Sequence, residues 1–440
     1  MNFEPATAVV LGLGTSGEAA ARLLWHEGAK VTVLDSAESD ALVEKAHKLN
    51  RLGIKTILGR SAERVKLSSE LVVLSPGIDP QVELVQNFKR QGARFTGELE
   101  FAYRFCRKPI VAITGTNGKT TTTQLIEMML NDAGVRTIAC GNIGMPFSEA
   151  IARQSTIDFF TVEVSSFQLE TIAQFRPQVA VWLNFTPDHL DRYANLQEYR
   201  LAKLRIFERQ GEKDFAIVNA QDSLPPLPAQ QISFSAYTAS ADFVCRGNMI
   251  YFRDEPVLAL AETQLSGVHN CENLMAALGV ARALGLTWDA ATIGLRRYRL
   301  LPHRCEIVGE VNGVTFINDS KATNLDALVK ALESALNPVV LIAGGKDKGF
   351  EFDSIVGLVR RQVKYAVLLG EMADRIAKTW SSDVPCRIAQ TLSEAVMIAR
   401  RHAQSGDTVL FSPGTSSFDM FKNYADRGNQ FRQLVKELTR

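Results

Sequence analysis

The sequence predicts a three-domain α/β protein built on parallel sheets, and three observations carry that expectation. Its 440 residues exceed what one hydrophobic core usually serves. Apolar strand-like runs alternate with amphipathic helical stretches from end to end. Twice, at 12–17 and 115–120, a strand runs through a glycine-rich loop into a helix, the arrangement of a phosphate-binding turn.

The first domain, 1–97, opens on strand TAVVLGLG, helix GEAAARLLWHEGA and strand KVTVLD, with a further strand and turn at LVVLSPGI. A helical stretch ending near Arg107 places the first boundary at 97–108. The second domain, 98–302, starts on PIVAIT and a helix whose Leu125, Met128 and Met129 share one face. Strands follow at 159–164, 179–185 and 215–219. Short strand-like runs over 231–260 predict a small antiparallel addition, and a helix over HNCENLMAALGVARALGL closes near Gly285. After LPHR, strands GVTFIND, PVVLIAG, YAVLLG and TVLFSPG alternate with helices as a third α/β domain, 303–440.

Composition narrows the class. With 46% hydrophobic and 22% charged residues the chain is an ordinary globular one. Its 49 basic and 48 acidic residues nearly cancel without blocks of like charge, so small molecules rather than nucleic acid are the expected partners. Six cysteines without a Cys-x-x-Cys pair suit reduced thiols. The start Met1-Asn2-Phe3-Glu4-Pro5 has no basic leader region, and no apolar run reaches the roughly 18 residues of a membrane span. A soluble, cytoplasmic protein without membrane insertion is expected.

The chemistry concentrates in a few loops. Gly12-Leu13-Gly14-Thr15-Ser16-Gly17 could hold a diphosphate on its amides, with Asp35 placed near a ribose; a dehydrogenase would use the same turn. Thr114-Gly115-Thr116-Asn117-Gly118-Lys119-Thr120 is a shortened phosphate loop, with Ile113 where the usual spacing has glycine. Lys119 would neutralise β- and γ-phosphate oxygens and Thr120 would ligate Mg²⁺. Glu163, ending FFTVEV before Ser165 and Ser166, is placed as the metal acid. His189, after an apolar strand, is either a turn residue or a ligand. Lys203 shares a helical face with Tyr199, Ile206 and Phe207. It either snorkels to solvent or stays partly buried as a neutral amine, which reacts with carbon dioxide to give a metal-binding carbamate. Asn270 is placed to cap a helix and Asn273 to read a purine edge. The polar run 319–324, at a strand's carboxyl end, is a ligand-site position.

The ordered set GLGTSG, SPGI, GTNGKTT, GNIG, EVSSFQLE, DHLDRY, YRLAKLRIF, GVHNCEN, LPHR, NDSKATN and SPGTSSFDMFKNYADRGNQF resembles the Mur ligase family along essentially the whole chain. That resemblance implies a Rossmann-like N-terminal domain for a UDP-sugar, a central P-loop ATPase-type domain and a C-terminal Rossmann-like domain serving ATP and the amino acid. It implies ATP phosphates on Gly115, Thr116, Asn117, Gly118, Lys119, Thr120 and Thr121, adenine on Asn273, and nucleotide contacts from Arg304 and Asp319. Two Mg²⁺ ions would be organised by Thr120, Glu163, His189 and a carbamate on Lys203, with Lys119, His189 and Lys203 catalytic. Thr15, Ser16, Asp35, Ser36, Gly77 and Asn142 match positions near the UDP-sugar, and Ser165 matches a substrate position. Lys321, Thr323, Lys348, Ser417, Phe418 and Tyr424 match the incoming-glutamate region. Ala37 stands where some relatives have arginine beside the uracil.

Within the family the set is similar to the branch joining glutamate to UDP-N-acetylmuramoyl-L-alanine in cytoplasmic peptidoglycan precursor synthesis. D-glutamate is implied, although the motifs leave its handedness open, and a monomer is expected. A carboxylate and an amine do not condense at neutral pH, so the γ-phosphate would make an acyl phosphate whose phosphate then leaves. A folate polyglutamylating ligase would share the central motifs but not the GLGTSG domain. A dehydrogenase would leave the Gly-Lys-Thr loop idle, and a non-catalytic nucleotide switch would not need the metal set.

Overall fold

A computed structural model of the chain describes residues 7–438 apart from positions 66, 68, 191, 266, 300, 301 and 336. Asp191 of the DHLDRY motif and Leu301 of LPHR therefore lie outside the described residues. The elements form three sheets. The first takes β1 (Thr7–Leu11), β2 (Lys30–Asp35), β3 (Lys55–Leu58), β4 (Leu71–Leu74) and β5 (Arg94–Gly97) in the order β3-β2-β1-β4-β5, every pair parallel. Ala8 and Val10 pack into a core with Leu24 and Leu49, whereas Val9 and Leu11 pack on the opposite face with Leu84 and Phe88. Burial on both faces explains why such strands read as unbroken apolar runs. Strand order reverses between β1 and β4, and there the turn after β1 meets the turn after β4: a Cβ on Gly12 would lie 2.9 Å from Ile78 and 3.0 Å from Ser75. Crevices at such reversals are where open α/β sheets bind ligands.

The second sheet has nine strands: β6 (Ile110–Thr114), β7 (Thr137–Gly141), β8 (Phe159–Glu163), β9 (Val179–Trp182), β10 (Phe215–Asn219), β11 (Gln230–Ser235), β12 (Phe243–Arg246), β13 (Met249–Phe252) and β14 (Glu255–Ala259). Their order is β14-β13-β12-β11-β10-β9-β6-β8-β7. The run from β7 to β12 pairs parallel throughout, and the antiparallel addition begins at the β12–β13 hairpin. The connection between the first two sheets is welded to the second. Glu98 accepts a bond from the Ser148 amide (2.6 Å), and Glu100, almost fully buried, accepts from the amides of Ala173, Gln174 and Phe175.

The third sheet orders β15 (Glu306–Val311), β16 (Val314–Asn318), β17 (Val339–Ala343), β18 (Val363–Leu368), β19 (Cys386–Ile388) and β20 (Thr408–Phe411) as β15-β16-β20-β17-β18-β19, with only β15 antiparallel. The chain forms two compact units. One carries the first two sheets, and the other carries the third sheet with residues 185–198 and 259–271.

Five strands are absent from the sequence-derived order: β3, β5, β7, β15 and β19. Every one of them is an edge strand. Edges face water along one side and are kept short and polar, as Lys55, Arg94, Glu306 and Arg387 show, so their apolar signal is cut off. The helix carrying Lys203 is also shorter than its periodicity suggests: Leu196–Leu204 is α-helical and Arg205–Phe207 tightens to a 3₁₀ turn.

Candidate active site

β6 ends at Thr114, and the chain turns through two glycines into the helix Lys119–Asp132. Gly118 is left-handed (φ 83°), and a Cβ there would stand 2.4 Å from Asn273 Oδ1; one on Gly115 would stand 2.9 Å from Leu183 Cβ. Asn184 shapes the loop, its backbone oxygen accepting from the Thr116 amide (3.0 Å) and its side chain exchanging bonds with the Asn117 amide and carbonyl (2.9 and 3.1 Å). Thr120 and Thr121 are buried in the first turn, where helix amides have no partner within the helix and favour anions. Asn273 accepts a bond from the Thr122 hydroxyl (3.1 Å), which puts it under the phosphate loop.

Two amines meet at this loop. Lys119 Nζ donates to the carbonyls of Gly115 (3.0 Å) and Thr116 (2.7 Å), and Lys203 Nζ donates to the same Gly115 oxygen (2.8 Å). Lys203 is 1% exposed and does not snorkel; Tyr199, Ile206 and Phe207 are buried with it, as its stripe predicts. Its Nζ sits 4.7 Å from the Tyr199 ring centroid, and the Tyr199 hydroxyl is 3.3 Å from Thr116 Oγ1.

Glu163, at the end of β8, is buried. Its Oε1 accepts from Asn142 Nδ2 (2.9 Å), whereas Oε2 is buried with no hydrogen-bond partner. A desolvated carboxylate oxygen with no donor is the observation that fits a cation. Among the described residues no three His, Cys, Asp or Glu side chains converge on a point. A cation beside Glu163 would therefore have at most one further His, Cys, Asp or Glu ligand and would draw the rest from hydroxyl, phosphate or modified-lysine oxygens. Ser165, matched to the substrate region, caps the short helix Ser166–Leu169 through a reciprocal pair of bonds with Gln168.

At the first sheet's crevice, Thr15 is exposed and Ser16 half-buried in the first turn of the helix Thr15–His26; Ser36 and Gly77 are exposed. A Cβ on Gly17 would fall 1.8 Å from the Gly12 oxygen, so helix and turn touch backbone to backbone. Asp35 has both oxygens on backbone amides, Oδ2 on Leu13 (2.7 Å) and Oδ1 on Ala37 (2.9 Å). It braces the glycine turn.

In the second unit, the loops after β16, β20 and β17, three adjacent strands, hold the predicted C-terminal residues. Asp319 is buried, accepting from Ser412 Oγ (2.8 Å) and the Cys305 amide (3.2 Å), and burial raises its carboxyl to about 6. The neighbouring Arg304 has a buried Nε without a hydrogen-bond partner. Lys321 donates to the Tyr424 hydroxyl (3.1 Å) and lies over its ring; Thr323 is half-buried, Ser417 buried and Phe418 67% exposed. His189 takes a left-handed backbone (φ 56°) and its Nε2 is 3.7 Å from Asp188 Oδ2.

Two residues not predicted as site residues hold these loops. Asp188, 6% exposed, accepts from Lys348 Nζ (2.7 Å) and Asn324 Nδ2 (3.1 Å). Burial works to raise its carboxyl, but Lys348, then His189, hold it below the ordinary range. Arg427, 1% exposed, bonds to Ser320 Oγ and to the carbonyls of Ser320, Thr415 and Ser416, and burial lowers its guanidinium to about 10.

The Asp319 shift predicts a pH-dependent stability. Its folded value exceeds the ordinary 3.8, so the unfolded chain releases the proton first. The group's contribution is full below about pH 4 and is lost as pH rises through about 6. Asp319→Asn, which keeps partners for Ser412 and Cys305, should raise the Tm at pH 8 by about 2–4 °C and give no gain at pH 4. Melts at both pH values check this.

Three family models match in order: a Mur ligase MurD-like N-terminal domain over residues 6–97, a Mur ligase middle domain over 113–281, and a Mur ligase glutamate ligase domain over 303–414. A UDP-N-acetylmuramoylalanine–D-glutamate ligase of Geotalea uraniireducens (strain Rf4) is 44% identical over 439 residues, spanning 98% of this chain and 97% of its own length. The protein of the same name from Pelotomaculum thermopropionicum is 43% identical over 449 residues, spanning 99% of each. Among solved structures, a UDP-N-acetylmuramate-alanine ligase from Thermotoga maritima aligns over 98% of this chain and 99% of its own, with a TM-score of 0.65 at 18% identity. A MurF ligase from the same organism in complex with ADP reaches 0.64 at 16%, over 93% of this chain and 95% of its own. These two are likenesses of fold.

Proposed function

The chain belongs to the Mur ligase family, and on that premise we propose that it joins D-glutamate to UDP-N-acetylmuramoyl-L-alanine at the expense of ATP, in cytoplasmic peptidoglycan precursor synthesis. The geometric observation that carries the reading is the convergence of Lys119 and Lys203 on the Gly115 carbonyl at the mouth of the phosphate loop. One lysine suffices for a phosphate loop; a second, buried one calls for a further task at the transferring phosphoryl group.

Residues 1–97 would hold the UDP-sugar, 98–302 ATP, and 303–440 the amino acid and part of the nucleotide. Thr15, Ser16, Ser36 and Gly77 lie at the crevice that would take the UDP moiety, with Asp35 bracing its floor. Lys119 and the helix amides would spread charge on the γ-phosphoryl group as the substrate carboxylate attacks phosphorus and ADP leaves. Thr120, Glu163, His189 and carbamylated Lys203 would hold Mg²⁺, which supplies Lewis-acid neutralisation of phosphate oxygens. The amine of glutamate then attacks the acyl carbon, and phosphate departs with the carboxylate's oxygen. Asn273, Arg304 and Asp319 would serve the nucleotide, and Lys321, Thr323, Lys348, Ser417, Phe418 and Tyr424 the amino acid. Among the described residues no helix is long and apolar enough to cross a membrane. The proposal includes a monomer acting on small molecules.

Phosphate release should require ATP, UDP-N-acetylmuramoyl-L-alanine and D-glutamate together, with a product heavier than the UDP-substrate by one glutamyl residue. Release that persists when either acceptor is omitted, or a product formed only with L-glutamate, sinks the reading.

A further inference from the structure

The loops after β16, β20 and β17 are bound into one cluster. The Gly414 amide bonds to the Ala322 carbonyl and the Lys346 amide to the Ser416 carbonyl, each at 3.0 Å. Asp188 adds a side-chain link, joining Asn324 and Lys348. An amino diacid brings two carboxylates and one amino group. The cluster offers two lysines, Lys321 and Lys348, each over an aromatic ring at 4.6 and 5.5 Å. It needs an acceptor for the amine.

The carboxylates nearby divide clearly. Asp319 is held by Ser412 and the Cys305 amide, Asp347 pairs with Arg375, and Asp419 accepts from the Glu371 amide. Asp188 differs because its partner, Lys348, is itself suited to a substrate carboxylate. Side chains of that pair are only 13% and 8% exposed, so breaking it without replacement would strand two poorly solvated charges. An amino acid replaces both partners at once.

Resting on the ligase reading above, we propose that Asp188 receives the amino group of the incoming glutamate in exchange for Lys348, which passes to a carboxylate of the same molecule. The exchange leaves no charge unpaired, and an acceptor fixed by Asn324 and by the His189 amide (2.8 Å) orients the nitrogen, which attacks once its ammonium has given up a proton to solvent. Asp188 thereby selects amino diacids over plain diacids.

Glutarate, the same diacid without the amino group, separates this role from a structural one. Wild-type turnover with D-glutamate is measured first; its absence overturns the ligase reading. Given turnover, Asp188→Asn should raise the KM for D-glutamate about 30-fold or more, while the Ki of glutarate against D-glutamate falls or stays at the wild-type value, because no carboxylate is left stranded when glutarate takes Lys348, and the KM for ATP stays close to wild type. Glutarate and glutamate weakened in equal measure would mean that Asp188 only tethers Lys348, and would overturn the proposal alone. Should the asparagine variant fail to fold, Asp188→Glu, which moves the carboxylate by one methylene, is read by the same ratio.

Discussion

Lys203→Ala should lower ligase turnover by at least about 10²–10³-fold, and acetate or propionate at high concentration should restore part of it. Lys203 is 1% exposed and shares the Gly115 oxygen with Lys119, so as an ammonium it faces a like charge in a poorly solvated place. Addition of carbon dioxide to its neutral amine would form a C–N bond and release a proton, leaving a carbamate anion where a cation stood. Repulsion from Lys119 would become attraction, and an oxygen ligand would stand beside the phosphate loop that leads into Thr120. Lys203→Arg separates this role from that of a fixed cation: arginine keeps the charge but gives no carbamate, and should be as inactive as alanine. Wild-type turnover in either variant, measured as ATP-coupled product formation, disproves the carbamate.

What could be read from the chain divides by range. Central strands of each sheet are apolar on both faces and stand out as runs, whereas β3, β5, β7, β15 and β19 sit at edges and do not. The phosphate loop is legible because one strand, two glycines and one helix start form it locally. Asp188 is not, since its partners Asn324 and Lys348 are 136 and 160 positions away; its burial is made by the third sheet. Arg427 was within reach: it lies on a helical stripe with Phe431 and Val435, the pattern that marks Lys203 beside Tyr199 and Phe207. A charged residue on a buried stripe is a site signal wherever it occurs, and Arg427 binds the loops after β16 and β20 to each other.

Asp35 shows the converse. Its position at the end of β2 suggests a ribose ligand, yet two backbone amides occupy its oxygens, so its first effect is on the shape of the glycine turn. Sequence spacing reports which loop a residue belongs to; it does not report which of that loop's tasks the side chain performs.

Gly118→Ala should greatly weaken ATP binding while leaving the fold intact. Gly118 caps the helix Lys119–Asp132 in the left-handed region, which costs an alanine about 1–2 kcal/mol. The greater obstacle is space, because the new Cβ would lie 2.4 Å from Asn273 Oδ1 and 3.4 Å from Leu183 Cδ1. Asn273 cannot retreat freely while it accepts from Thr122 inside the same helix. Relief therefore comes from moving the loop, and with it the amides and Lys119 that would face the phosphates. Gly118→Asn distinguishes the two causes, since asparagine tolerates a left-handed backbone but still carries a Cβ. Titration of each variant with ATP by calorimetry, beside a thermal melt, should show both losing nucleotide affinity by about 10²-fold or more with little change in Tm. An asparagine variant that binds ATP like the wild type would mean that backbone conformation alone, and not the contact with Asn273, requires glycine there.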